Sequence, residues 1–229
     1  MKTGHLTLRG SQSLSSQPAQ GAEPLVIIVD DDAAVREGLS ELILSAGFRT
    51  VSFPSTGELL DAGALDSPGC LILDVRMPGA SGLQLQNQLV QNGNRKPIIF
   101  LTGHGDIPMT VQAMKAGAVD FLTKPVRDQT LLDAVTAAIE ADAAQRAEAA
   151  ITKRSMECLE TLTPRERAVL REVARGRLNK QIAFDFGISE VTVKLHRSNA
   201  MRKMHANSLG ELIRAWEALP AEIRERRPE

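Results

Sequence analysis

Residues 70–82, "CLILDVRMPGASG", decide the fold. Four residues of apolar character read as a buried strand, yet the run ends on a carboxylate, Asp74. Pro78 and Gly79 then break the chain into a loop. A buried charge is costly unless something pairs with it. The rest of the chain must therefore supply a partner for Asp74.

Working outward, four more strand candidates flank this one: "LVIIV" at 25–29, "RTVSF" at 49–53, "PIIFLT" at 97–102 and "VDFLT" at 119–123. Helix-like segments separate them. The stretch from 33 to 46 is closed by Gly47, and "IPMTVQAMKAGA" by Gly117, both placed as helix stops. Alternating strands and helices with near-continuous apolar strands predict a parallel sheet covered on both faces. Functional groups in such sheets gather at the carboxyl ends of the strands. There the first strand carries Asp30 and Asp31, the third Asp74, the fourth Thr102 and the fifth Lys124.

Three carboxylates gathered at one edge repel, and one lysine cannot neutralise them. A hard divalent cation can, and clustered carboxylates with room for water suit Mg²⁺. Asp74, compensated by the metal and by Lys124, is then an ionised carboxylate nucleophile able to take a phosphoryl group. Taken singly these residues have ordinary readings: an acidic pair as a solvated loop or helix cap, a Thr closing a strand, a Lys before Pro in a turn. Their joint placement at successive strand ends favours a site. His104, in "TGHGD", reads as a loop residue, not as a ligand or acid–base group.

The segments "IVDDD", "LILDVRMPGASG", "FLTGHGD" and "AGAVDFLTKP" resemble the receiver domain of two-component response regulators of the FixJ type, in order and spacing. The resemblance spans residues 25 to about 140 and implies a doubly wound, flavodoxin-like sheet of five strands. It implies that Asp74 is the phosphoacceptor and that Mg²⁺ is held by Asp31, Asp74 and the Arg76 main-chain carbonyl, with Asp30 acting through water. Thr102 and Lys124 would contact the phosphoryl oxygens. Phe121 would rotate as Thr102 is drawn to the phosphate, and the Lys124–Pro125 bond would be cis.

From 128 to 160 the chain is rich in Ala, free of Pro and Gly, and helix-favouring. Leu131, Leu132, Val135 and Ile139 form one stripe expected on the sheet; beyond Ala141 the stripe fades. The expected division is a disordered extension at 1–23, a receiver at 24–140, a helical linker at 141–160 and a DNA-binding domain at 161–229. Charge follows this division: 13 Lys+Arg against 19 Asp+Glu through residue 160, then 14 against 9.

Residues 162–204 hold three helical patterns. Thr163-Pro164 opens the first and Asn179 the second, and a turn at Gly187 leads into the third, a helix-turn-helix pattern. A helical wheel on the third helix sets Val193, Ala200 and Met204 toward the core. The opposite face carries Val191, Leu195, Ser198 and Arg202, flanked by Thr192 and Lys194. Aliphatics among donors suit a major groove, where thymine methyls and base edges are read. Asn179 and Lys180 suit phosphate contacts. His196 lies nearer the core and reads as packed.

"LTPRE", "NKQIA" and "ISEVTVKLHR" make this half resemble the LuxR-type domain of NarL/FixJ regulators. The family's dimer helix would be residues 208–216, where Gly210 and "MHANS" depart from the pattern. The implied partners are a sensor histidine kinase, promoter DNA, a second copy after phosphorylation, and RNA polymerase. The implied chemistry is Mg²⁺-dependent self-phosphorylation without turnover of another substrate.

Two other classes stay in view. Dehalogenase-type phosphatases need a second Asp two residues past the nucleophile, where this chain has Arg76. Nucleotide or flavin binders need a Gly-rich loop after the first strand, where "DDDAAV" would repel phosphate. No run of apolar residues is long enough to span a membrane. The first residues lack the apolar core of a signal peptide, and Cys70 and Cys158 lie outside metal or redox spacing. The expected location is the cytoplasm.

Overall fold

The computed structural model describes residues 23–103 and 106–225. His104 and all but the last residue of the expected extension lie outside the described residues. The chain divides into two compact units between Val135 and Thr136.

In the first unit, β1 (Leu25–Val29), α1 (Ala33–Ser45), β2 (Arg49–Phe53), α2 (Thr56–Ala62), β3 (Gly69–Leu73), α3 (Gly82–Gln91), β4 (Ile98–Thr102), α4 (Ile107–Lys115) and β5 (Asp120–Thr123) alternate in chain order. The strands form one parallel sheet in the order β2-β1-β3-β4-β5. This is the doubly wound α/β fold the alternation predicts. Strand order reverses at β1, so the crevice for a site opens between the ends of β1 and β3. Val29 pairs with Leu73 there, which brings the next residues, Asp30 and Asp74, side by side.

Alternation sorts the sheet into two buried faces. Ile27, Val29, Leu71, Leu73, Ile98 and Phe100 join Leu59, Leu85, Leu89 and Ala113 in one cluster beneath α2, α3 and α4. The intervening Val26, Ile28, Ile72, Ile99 and Leu101 are equally buried and point to the other face. The third strand starts one residue before its apolar run and stops with it at Leu73, so Asp74 is the first residue beyond it. The earlier start belongs to Gly69, at φ +120, where a Cβ would lie 2.2 Å from the Leu25 carbonyl oxygen of the neighbouring strand.

The segment after β5 is a single helix, α5 (Asp128–Glu160), of 33 residues, and it passes through the division between the units. Its buried stripe is Leu131, Ala134, Val135 and Ala138, while Leu132 and Ile139 are half-buried. Ala134 and Ala138 complete with Leu131 and Val135 the i, i+3, i+4, i+7 row that faces inward. From 143 to 151 every residue is exposed. Asp142 is buried and accepts from Arg146 Nε at 2.7 Å, an ion pair that the fading stripe did not announce.

The second unit adds α6 (Pro164–Ala174), α7 (Asn179–Phe186), α8 (Glu190–Lys203), α9 (Leu209–Glu217) and α10 (Ala221–Glu225). Thr163 and Glu166 cap α6 reciprocally, with Pro164 in its first turn. Gly187, at φ 63, ends α7 and turns the chain into α8. Val169, Leu170, Val173, Ile182, Val193, Ala200, Met204, Leu212 and Trp216 make one core. Among the described residues no helix is long and apolar enough to cross a membrane.

Candidate functional site

The three consecutive aspartates after β1 take three different positions. Asp30 is 2% exposed; its Oδ1 accepts from the Asp32 main-chain N–H at 3.0 Å, and its Oδ2 meets Lys124 Nζ at 2.5 Å. Asp31 is exposed. Asp32 caps α1, accepting from Ala34 N–H at 2.8 Å. Asp74 is buried at the end of β3 and accepts from Lys124 Nζ at 2.9 Å and from the Arg76 main-chain N–H at 3.2 Å. One carboxylate oxygen each from Asp30, Asp31 and Asp74 lies within 4.8 Å of the others.

Lys124 bridges the two buried carboxylates. Burial alone would push its pKa down; hydrogen bonds and charge from Asp30 and Asp74 outweigh that and hold it above its usual range. The lysine is brought there by the β5 edge: its N–H donates to the Thr102 carbonyl at 2.8 Å, and the following Lys124–Pro125 peptide is cis. The Thr102 side chain is 1% exposed at the end of β4. Phe121, half-buried, packs on the core with its ring centroid 5.8 Å from that of Phe100. Three carboxylates share one ammonium, so the set keeps surplus negative charge and free oxygen lone pairs. That donor chemistry, all hard oxygen and exposed on the Asp31 side, fits a divalent cation such as Mg²⁺.

Two residues that position this edge were not singled out from the sequence. Arg36 Nη1 donates to the Asp30 carbonyl at 2.7 Å, fixing the backbone from α1. Gly82 opens α3 against Asp74: a Cβ there would stand 2.3 Å from the Asp74 carbonyl oxygen. The Gly in "GASG" was the only available signal for the second; an arginine one turn into a helix gives none for the first.

In the helical unit, Val193, Ala200 and Met204 are buried, while Val191 is 74% and Leu195 58% exposed. Lys194, Ser198 and Arg202 are exposed, and Thr192, Asn179 and His196 are half-buried. Lys180 is exposed in the first turn of α7. The Thr192 hydroxyl lies 2.9 Å from that of Ser189, whose Oγ accepts the Thr192 N–H at 3.1 Å; Thr192 thus belongs to the N-cap of α8 as well as to its outer face. The C-terminal end of α8 is anchored by Lys203, whose Nζ reaches Glu166 at 2.7 Å and the Thr161 carbonyl at 3.1 Å.

Comparison with known proteins matches each unit separately and the chain as a whole. Residues 26–136 match the family model of the response regulator receiver domain, and residues 160–216 that of the bacterial regulatory proteins of the luxR family. Nodulation protein W of Bradyrhizobium diazoefficiens is 49% identical over 218 residues, covering 95% of this chain and 94% of that one. The transcriptional regulatory protein FixJ of Azorhizobium caulinodans is 44% identical over 189 residues, covering 82% of this chain and 90% of its own. Among solved structures, the response regulator StyR is similar with a TM-score of 0.75 at 47% identity, over 86% of this chain and 99% of that one.

Proposed function

Since the chain belongs to the FixJ-type response regulators, two-component transcription regulators that join a receiver to a LuxR-type DNA-binding domain, we propose that Asp74 is its phosphoacceptor and that phosphorylation controls its grip on promoter DNA. The observation that carries this reading is Lys124 held between Asp30 and Asp74 at 2.5 and 2.9 Å, beside Asp31, at the reversal point of the sheet.

The phosphodonor is a phosphohistidine of a sensor kinase. An Asp74 carboxylate oxygen attacks phosphorus in line; the O–P bond forms as the N–P bond breaks, and the imidazole leaves. Lys124 turns an N–H toward one phosphoryl oxygen, and the Thr102 hydroxyl donates to another. Asp31, Asp74 and the Arg76 main-chain carbonyl would hold Mg²⁺, with Asp30 acting through water, and the bound ion would offset charge on the phosphoryl oxygens. No other substrate is turned over. The protein works in the cytoplasm, where the kinase's phosphohistidine and the promoter are both found.

Moving Thr102 toward the phosphoryl group frees space that Phe121 fills. That reshapes the surface around 107–122, where Ile107 is 81% exposed and Val111 and Met114 are also exposed on α4. This apolar row is the contact for a second copy. Two copies set two α8 helices on half-sites about one DNA turn apart. Val191, Thr192, Lys194, Leu195, Ser198 and Arg202 meet the major groove, Asn179 and Lys180 meet phosphates, and RNA polymerase is the downstream partner.

Labelling with acetyl phosphate, or with a phosphorylated kinase, tests the centre of this reading. One phosphoryl group per chain is expected. Asp74→Asn abolishes it, and Asp31→Ala suppresses it through loss of the ion. Labelling that survives Asp74→Asn overturns the assignment.

A further inference from the structure

Gln86 is a polar side chain in the wrong company. It sits in the middle of α3 between the buried Leu85 and Leu89 and is itself 2% exposed. A buried amide is costly unless it is hydrogen-bonded. Its Nε2 donates across the fold to the main-chain carbonyl of Ala113, on α4, at 3.0 Å. Ala113 is fully buried, and its carbonyl already accepts the Ala118 N–H at 3.1 Å. The carbonyl therefore needs no second donor, and what the Gln86 bond adds is a fixed placement of α4 against α3.

The start of α3 is seated on the reacting residue. The Gly82 N–H donates to the Val75 carbonyl at 3.0 Å, and the bare Gly82 Cα lies against the Asp74 carbonyl, where a Cβ would come within 2.3 Å. One short helix thus touches the Asp74 main chain at its start and holds α4 at its middle. The outer face of α4 carries Ile107, Val111 and Met114.

We propose that Gln86 is a positioning residue that tethers α4 to α3, and through α3 to the Asp74 main chain, holding the α4 surface in its resting placement until Asp74 is phosphorylated. This rests on the reading of Asp74 and α4 as the two ends of one switch. It adds to the Thr102–Phe121 route a second route on the same face of the sheet, through a bond between two helices.

Gln86→Met and Gln86→Leu in the full chain keep the volume and remove the donor. Both are expected to accept phosphate from acetyl phosphate at the wild-type rate. Amide exchange in α4 should rise without phosphate, while that of β1 and β3 stays unchanged. The ratio of operator affinities, phosphorylated over unphosphorylated, should fall by about 2- to 30-fold through tighter binding by the unphosphorylated protein. Unchanged exchange in α4, or an unchanged ratio, overturns the tether even if the melting temperature drops. Variants too unstable to purify count against it as well, because the Ala113 carbonyl keeps its own donor. A wild type with a ratio of one removes the switch itself; a normal wild-type ratio retained by both variants removes only the tether.

Discussion

The run Asp30-Asp31-Asp32 shows how much one residue position decides. Asp30 faces Lys124, Asp31 faces solvent at the rim and Asp32 caps the start of α1. Strand periodicity stops at Val29, so composition could identify the acidic run but not the side chain that turns inward. That choice is made by the backbone entering α1 and by Arg36 on the Asp30 carbonyl. Glycine gives the sharpest contrast at this scale. Gly38, inside α1, has nothing within 4 Å of an added Cβ, whereas Gly82 has the Asp74 carbonyl at 2.3 Å. Gly38→Ala should raise receiver stability by about 0.5–1 kcal/mol by denaturant titration. Gly82→Ala should lower it and slow acetyl-phosphate labelling, because either the start of α3 or Asp74 must shift. Equal labelling rates for the two variants would show that the close approach has no bearing on the reaction.

Among the elements, those with strong boundary residues were legible. Gly47 and Gly117 end α1 and α4, Thr163-Pro164 opens α6, and Gly187 makes the turn into α8. The five-residue α10 was missed because so short a helix repeats no apolar spacing. The long-range polar links were also illegible, since Glu166 and Lys203 are 37 residues apart. Burial pushes the Glu166 carboxyl upward, but hydrogen bonds from Lys203 and Thr163, with the lysine's charge, outweigh it and leave the pKa below its usual 4.5. A depressed carboxylate contributes stability above its unfolded pKa and loses it as pH falls through the folded value. The Glu166→Gln variant should therefore melt lower than wild type at pH 7, with the gap closing as the pH falls below the usual carboxylate range. A gap independent of pH would assign the loss to packing. On α8 and α7 the two contact classes separate by salt. Lys180→Ala should weaken all DNA alike and reduce the salt slope by about one. Leu195→Ala should change base preference at one position by about 1–3 kcal/mol.

At the scale of the whole molecule, an acidic receiver and a basic reader share one uninterrupted helix, a division already visible in the charge counts. Thr102→Ala tests what passes between them. It keeps Asp74 and Lys124, so it should still accept phosphate, yet sedimentation and operator titration should show little change on phosphorylation. A wild-type response would remove Thr102 from the switch. Tryptophan, unlike phenylalanine, is confined to one half. The protein has one tryptophan and no tyrosine, and Trp216 is buried in the core of the helical unit. Excited at 295 nm, the receiver is optically silent, and all emission comes from the DNA-binding half. A shift in emission maximum during denaturation therefore times the opening of that half alone, while far-ultraviolet ellipticity follows both. The intact chain carries its own one-sided dye, and the order in which its halves come apart can be read without a label or a truncation.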